Sequence, residues 1–216
     1  LGGSSSINGL VYIRGQREDF DHWRQLGNTG WGFDDVLAYF LRSEGQERGQ
    51  DAYHATDGPL VVSDPRVRWP LCDDFIAAAE NIGVPRRDDF NGAVQEGVGY
   101  FQTTIDRGRR CSAARAFLRP VMRRKNLKVV TSAHIEKILF QDRRARGVRF
   151  RHNDQVVEVG ASAEVILSAG AIGSPQILEL SGIGAGQGLQ ALGMSCVHDL
   201  PGVGENLQDH MQVRCV

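Results

Sequence analysis

The stretch Val165-Ile166-Leu167 narrows the fold more than any other: three consecutive apolar residues, two of them β-branched, with no alternating polar partner. A strand with one wet face alternates, whereas one covered on both faces does not, so this run reads as a buried strand of a parallel sheet. It leads through Ser168-Ala169-Gly170-Ala171 into a helix expected over 175–180, with Pro175 in its first turn and Ser174 as its cap. That helix is expected to finish at Ser181-Gly182-Ile183-Gly184. A buried strand feeding a helix through a small-residue turn is the repeating unit of a doubly wound α/β domain.

Upstream of that strand lie short β-branched runs, Val129–Thr131, Ile135–Phe140, Val148–Arg151 and Val156–Val159. Polar turns at Asp142–Arg146 and Asn153-Asp154 separate the last three, which predicts an antiparallel meander. Nearer the start, Asp34 is placed to cap a helix carrying Val36, Leu37, Phe40 and Leu41 on one side and ending near Ser43. The charged segment Glu44–Thr56 reads as a mobile surface loop and Leu60-Val61-Val62 as a short strand. Leu71–Ile82 has helical spacing at Phe75, Ile76 and Ala79, with Gly83 and Pro85 just beyond it as stop signals. Tyr100–Ile105 alternates like a strand, and Ala113–Val121 places Ala114, Phe117, Leu118 and Val121 on one helical face before Pro120 perturbs it. The sum is an α/β, doubly wound (Rossmann-like) domain over 1–58 and 126–184, interrupted by an α+β unit over 59–125, with 185–216 as a junction.

The near-balance of 25 Lys and Arg against 26 Asp and Glu removes any global electrostatic reason to expect a nucleic acid or an anionic membrane as partner. The basic run from Arg107 to Lys128 sets Arg115, Arg119 and Arg123 at helical spacing opposite the apolar face, as on a solvated helix, and its one aromatic, Phe117, belongs to that apolar face and does not interleave with the arginines to stack bases. No apolar run approaches the roughly 18 residues of a membrane span, and Leu1-Gly2-Gly3-Ser4 shows no basic region followed by a hydrophobic one, so neither a signal peptide nor an anchor is expected within this sequence. Cys72, Cys111, Cys196 and Cys215 are widely spaced and the six His are scattered, so neither a metal site nor a disulfide framework is expected, and a cytoplasmic setting is. The start at Leu1, without Met, and the end at Arg214-Cys215-Val216 read as cuts in a longer chain.

Two segments offer small side chains and backbone amides to a ligand: Leu1-Gly2-Gly3-Ser4-Ser5-Ser6-Ile7-Asn8-Gly9 and Gly170-Ala171-Ile172-Gly173-Ser174-Pro175-Gln176-Ile177-Leu178. The alternatives are a flexible polar loop for the first and a capped strand-to-helix turn for the second. A GxGxxG fingerprint is missing: Gly184 and Gly186 are followed by Leu189, and Gly202 and Gly204 by Leu207. In their order and spacing the two segments resemble the signature motifs of the glucose-methanol-choline (GMC) oxidoreductases. Asp88–Gly92, Gln95–Gly99, Gly108–Ala113 and Leu200–His210 resemble the choline dehydrogenase-like branch, so the resemblance covers essentially the whole chain.

That resemblance implies FAD. It makes 1–58 and 126–184 parts of an FAD-binding domain and 59–125 part of a substrate domain, and 185–216 leads back to the substrate domain. It places Gly2, Gly3, Asn8, Gly9, Leu10 and Val11 against the flavin, the backbone of Ile135 at the adenine end, and Ala169-Gly170 near the cofactor. Ile7 stands where some members bear a flavin-linking His, so non-covalent FAD is implied. The pyrophosphate motif is implied upstream and the catalytic His and its partner downstream, so no catalytic residue is assigned here; His210 reads as a structural or domain-junction residue. Tyr100-Phe101 and Cys111-Ser112 read as core packing, with a cavity-lining role as the alternative. The implied reaction oxidises a primary alcohol, choline or another, by hydride transfer to flavin N5. Oxygen or a quinone-type carrier would reoxidise the flavin, and the carrier is one route to membrane association. A non-catalytic binding module and a hydroxynitrile lyase-like member of the same fold are the competing readings.

Overall fold

The computed structural model describes residues 1–209, 211 and 213, so His210 and Cys215 lie outside the described residues. Two compact units form, Leu1–Lys128 and Val129–Val216.

In the first unit two helices pair early. α1 (Arg17–Gln25) and α2 (Phe33–Ser43) bury aromatic faces against each other, Phe20 lying 5.7 Å from Phe40 and 6.2 Å from Phe33 between ring centroids. Each start is closed by a carboxylate three residues on: Asp19 accepts from the Gln16 amide at 2.8 Å, and Asp35 from the Gly32 amide at 3.0 Å. Asp34 is therefore not the cap. It sits inside the first turn, where the dipole favours a carboxylate, and accepts both arms of Arg17 at 2.9 and 2.8 Å.

The chain then makes β1 (Glu44–Gln46), which pairs in parallel with β2 (Leu60–Val62), so residues from 1–58 and 59–125 interleave in one unit. This corrects the expected surface loop: Glu44 is fully buried, and Gln46 and His54 are buried with it. The polar side chains satisfy one another, which lets them leave water. α3 (Pro70–Asn81) follows as expected, with Gly83 at φ +92° just past its end.

The strand expected over 100–105 is mostly single bridges: Thr103 bridges both Val11 and Ser63, and only Ile105 enters a ladder. That ladder is a small hairpin of β3 (Ile105–Asp106) and β4 (Arg109–Arg110), whose two-residue turn Arg107-Gly108 has φ +48° and +73°, the mirror-image geometry that matches strand twist. Residues 114–118 wind as a π-turn and 119–121 as a 3-10 turn. Pro120 has no N–H for the carbonyl of Ala116, so the helix cannot continue regularly. The buried side is Ala114 and Ala116, and Phe117 is turned out, 43% exposed, which corrects the expected apolar face.

The second unit contains the predicted meander of β5 (His134–Gln141), β6 (Arg144–His152) and β7 (Gln155–Gly160), with Ile138 opposite Val148 and Phe150 opposite both Ile135 and Val157. Its second turn, Asn153-Asp154, holds both residues at positive φ. α4 (Gly170–Leu180) packs on β5, where the Ile138 amide donates to Ser181 Oγ at 2.8 Å. β8 (Ile183–Gly184), α5 (Gly186–Ala191) and β9 (His198–Asp199) complete the unit, β8 and β9 running parallel.

Three expectations fail here, the first being the β-branched run Val129–Thr131, which forms no strand. Val165–Leu167 forms no strand and Ile166 is 78% exposed. A parallel strand exists only where neighbours take its N–H and C=O groups, and among the described residues none lies alongside. α4 also starts at Gly170, not at Pro175; Ser174 Oγ accepts the Ala169 amide at 2.9 Å, and Pro175 lies inside the helix.

Candidate functional site

The opening loop is wound tightly by its own small residues. Gly2 at φ +100° and Gly3 at φ +56° admit a 3-10 turn over Gly3–Ser6, and the Ser4 carbonyl accepts the amides of Ile7 and Asn8 at 3.0 and 2.8 Å. The loop is then latched to a distant segment: Ser5 Oγ accepts the Ala113 amide at 2.9 Å, and Arg110 Nη1 donates to the Ser5 carbonyl at 3.2 Å and to Asn8 Oδ1 at 2.7 Å. A Cβ on Gly2 would lie 2.5 Å from Ser6 Oγ and 3.2 Å from Ala114, so position 2 is closed by both conformation and space.

Gly3 and Gly9 differ from Gly2, because nothing lies within 4 Å of an added Cβ at either. Leu10 is held at φ +70°, which costs a side-chain-bearing residue about 1–2 kcal/mol. Asn8 Oδ1 accepts its amide at 3.1 Å, and its carbonyl accepts the Thr104 amide at 2.9 Å. Among the described residues the amides of Gly9 and Val11 have no hydrogen-bond partner. Ile7 is 86% exposed. Gly2, Gly3, Asn8, Gly9, Leu10 and Val11 thus lie together on one moored loop. Ile135 belongs to the second unit, half-buried on β5 opposite Phe150. Gly170 is exposed at φ +91° where α4 begins.

Where the loop ends, the chain enters a buried polar network that the sequence did not disclose. Arg14 Nη2 pairs with Glu44 at 2.9 Å, their side chains 2% and 0% exposed. His54 Nδ1 lies 3.1 Å from both Glu44 oxygens, and its Nε2 lies 3.1 Å from Asp89 Oδ2. Two ring nitrogens facing two carboxylates require both to carry protons, and the hydrogen bonds to Asp89 and then Glu44 raise the His54 pKa to about 9. Burial works against ionising Asp89, yet the bonds from His54 and the Asn91 amide keep its carboxyl below the usual range. Gln46 and Gln102 exchange amide hydrogen bonds at 2.8 and 2.9 Å, and Gln102 reaches Asp64, which pairs with Arg48 at 2.7 Å.

The network fixes the exit of the loop. The Arg14 amide donates to Asn91 Oδ1 at 2.7 Å, its carbonyl accepts from Gln95 at 2.8 Å, and Asn91 Nδ2 donates to the Tyr12 carbonyl at 3.2 Å. No periodicity marks such residues, because the partners that replace water lie as far as 30 to 77 positions apart in the chain. Among the described residues no group of three or more His, Cys, Asp or Glu is placed to hold a metal, and Cys72, Cys111 and Cys196 are free thiols. Arg115, in the basic run, pairs with Asp106 at 2.6 Å.

Comparison with known proteins adds the following. A family model described as GMC oxidoreductase matches residues 1–212. An oxygen-dependent choline dehydrogenase of Rhizobium johnstonii is 47% identical over 212 residues, 98% of this chain and 38% of that protein. An alcohol dehydrogenase (acceptor) of Pseudomonas putida is 48% identical over 216 residues, 99% of this chain and 39% of that protein. Among solved structures, an FAD-dependent oxidoreductase from Chaetomium thermophilum matches with a TM-score of 0.90 at 35% identity, over 96% of this chain and 38% of that one. The chain therefore spans well under half the length of the relatives it matches.

Proposed function

This chain belongs to the GMC oxidoreductase family, and from that premise we propose that it supplies the flavin-facing loop and part of the frame of an FAD-dependent enzyme oxidising a primary alcohol to the aldehyde. The observation that carries the reading is the Leu1–Val11 loop, open at Gly3 and Gly9 and holding two amides, those of Gly9 and Val11, without partners among the described residues. Such a surface fits a flat ring edged with carbonyl and nitrogen acceptors. Gly2, Gly3, Asn8, Gly9, Leu10 and Val11 would hold the ring through backbone amides and the Asn8 side chain, and the Ile135 backbone the adenine end.

When bound, the flavin would supply two-electron chemistry as the hydride acceptor for the alcohol carbon. The part played by this chain is placement: the fixed N–H dipoles of the loop would stabilise negative charge on the reduced ring without having to reorganise. No catalytic residue is assigned within it. The catalytic His, its partner and the pyrophosphate motif are proposed for the remaining length of the relatives. Leu1–Val11 contains no His, Cys or Tyr and Ile7 takes the exposed position, which supports non-covalent FAD.

The proposed substrate is a small alcohol, choline or another, with oxygen or a quinone-type carrier as acceptor; one bacterial relative is named as oxygen-dependent, and the name of the other gives only an acceptor. A cytoplasmic location is proposed, and among the described residues no helix is long and apolar enough to cross a membrane. We assign 1–58 and 126–184 to the FAD-binding domain, 59–125 to the substrate domain and 185–216 to the junction. Nothing in the site favours a non-catalytic module or a lyase.

The test is an absorbance spectrum of the full-length protein, before and after an alcohol panel including choline, followed by acid precipitation. Flavin bands that bleach with an alcohol and pass into the supernatant are expected. A colourless protein that cannot be reconstituted with FAD would refute the reading, and flavin remaining in the pellet would refute its non-covalent part.

A further inference from the structure

We propose that Arg110 is a positioning residue for the flavin, acting through Asn8; this rests on the FAD reading above. Asn8 Oδ1 accepts from the Leu10 amide at 3.1 Å and from Arg110 Nη1 at 2.7 Å. Both partners can only donate, so the oxygen must face them and the amide group cannot turn over. Its Nδ2 is thereby turned away from both, has no partner among the described residues, and offers a ligand donors only.

Arg110 is itself unusual in how it uses its charge. It is half-buried, and among the described residues no carboxylate pairs with it; its two partners are the neutral oxygens of Ser5 and Asn8. Nearby Arg115, by contrast, finds Asp106. A guanidinium bonded to the oxygen end of an amide polarises it and strengthens the N–H bonds at the other end. The Arg107-Gly108 turn between β3 and β4 sets Arg110 in this place. Asn8 thus presents a charge-reinforced donor, which favours the more electron-rich, reduced form of a flavin over the oxidised form.

The experiment is a reductive titration of the full-length, FAD-loaded protein with dithionite against a reference dye, giving the flavin midpoint potential of the wild type and of Arg110→Ala, Arg110→Lys, Asn8→Ala and the double Ala variant. Arg110→Ala is expected to weaken the preference for reduced flavin about tenfold, which for a two-electron couple lowers the potential by about 30 mV. Arg110→Lys, with a donor and the charge retained, should recover part of this, and Arg110→Ala should add little in the Asn8→Ala background. An unchanged potential in Arg110→Ala with FAD bound, or fully additive shifts in the double variant, would overturn the inference and leave the flavin reading intact. A wild type that takes up no FAD would overturn both. Should Arg110→Ala fail to fold, Arg110→Lys decides alone: it must fall between wild type and Asn8→Ala, and a value equal to wild type or below Asn8→Ala overturns the role.

Discussion

Replacing Glu44 by Ala removes the shared acceptor of two cations. In the intact protein its carboxylate takes the Arg14 guanidinium at 2.9 Å and His54 Nδ1 at 3.1 Å, and the amides of Gln46 and Ala55 lie at 3.3 Å. The side chain has no exposure, so water cannot fill the gap without opening β1 from β2. Breaking a buried ion pair by removing one partner costs about 3–5 kcal/mol, because the remaining charge is left unpaired. Against a domain stability of about 5–15 kcal/mol that loss is severe. Amide hydrogen exchange in β1 and β2 of the full-length protein reads the local opening directly. At about 1.4 kcal/mol per tenfold, exchange there should quicken by roughly two to four powers of ten. Adding Arg14→Met to Glu44→Ala should recover part of the loss by removing the stranded guanidinium. An acceleration below tenfold in Glu44→Ala, with no recovery in the double variant, would refute the account of a dry, mutually dependent charge cluster.

Further outcomes follow from the same geometry. His54 is raised to about 9 in the folded protein from an ordinary 6.5, so its contribution is fully present below pH 6.5 and is lost as pH rises through 9; exchange protection around His54 should fall over that window, and His54→Gln should flatten the dependence. Gly2→Ala, at φ +100° and in contact with Ser6 and Ala114, should lower the melting temperature, whereas Gly9→Ala should leave melting of the apoprotein unchanged and weaken FAD binding, both measured by thermal denaturation with and without FAD. Ser181→Ala strands the Ile138 amide and should cost about 1–3 kcal/mol, visible as faster exchange at Ile138 but not at Val62.

Elements whose cause is local were legible. The meander follows from β-branched runs broken by Asn153-Asp154, and α3 from apolar spacing stopped by Gly83, because each signal lies within a few residues of the structure it makes. The loop over 1–11 was legible as a motif and through family resemblance, but its mooring by Arg110 and Ala113 was not, since those partners lie about a hundred residues away. Glu44–Thr56, which carries Glu44 and His54 of the buried network, reads as a surface loop for the same reason: polarity implies water only until the partner that replaces water is known. Val165–Leu167 failed in the opposite sense. Its sequence states that it should be buried, but burial of a strand belongs to its neighbours as much as to itself.

The exposure of Ile166 has a practical consequence. Ile166 presents its side chain to solvent beside backbone groups that have no partner among the described residues, a combination that favours contact with another apolar surface. Copies of the 216-residue chain in a concentrated solution should meet one another at Ile166, so Ile166→Ser is expected to raise the concentration at which light scattering first appears.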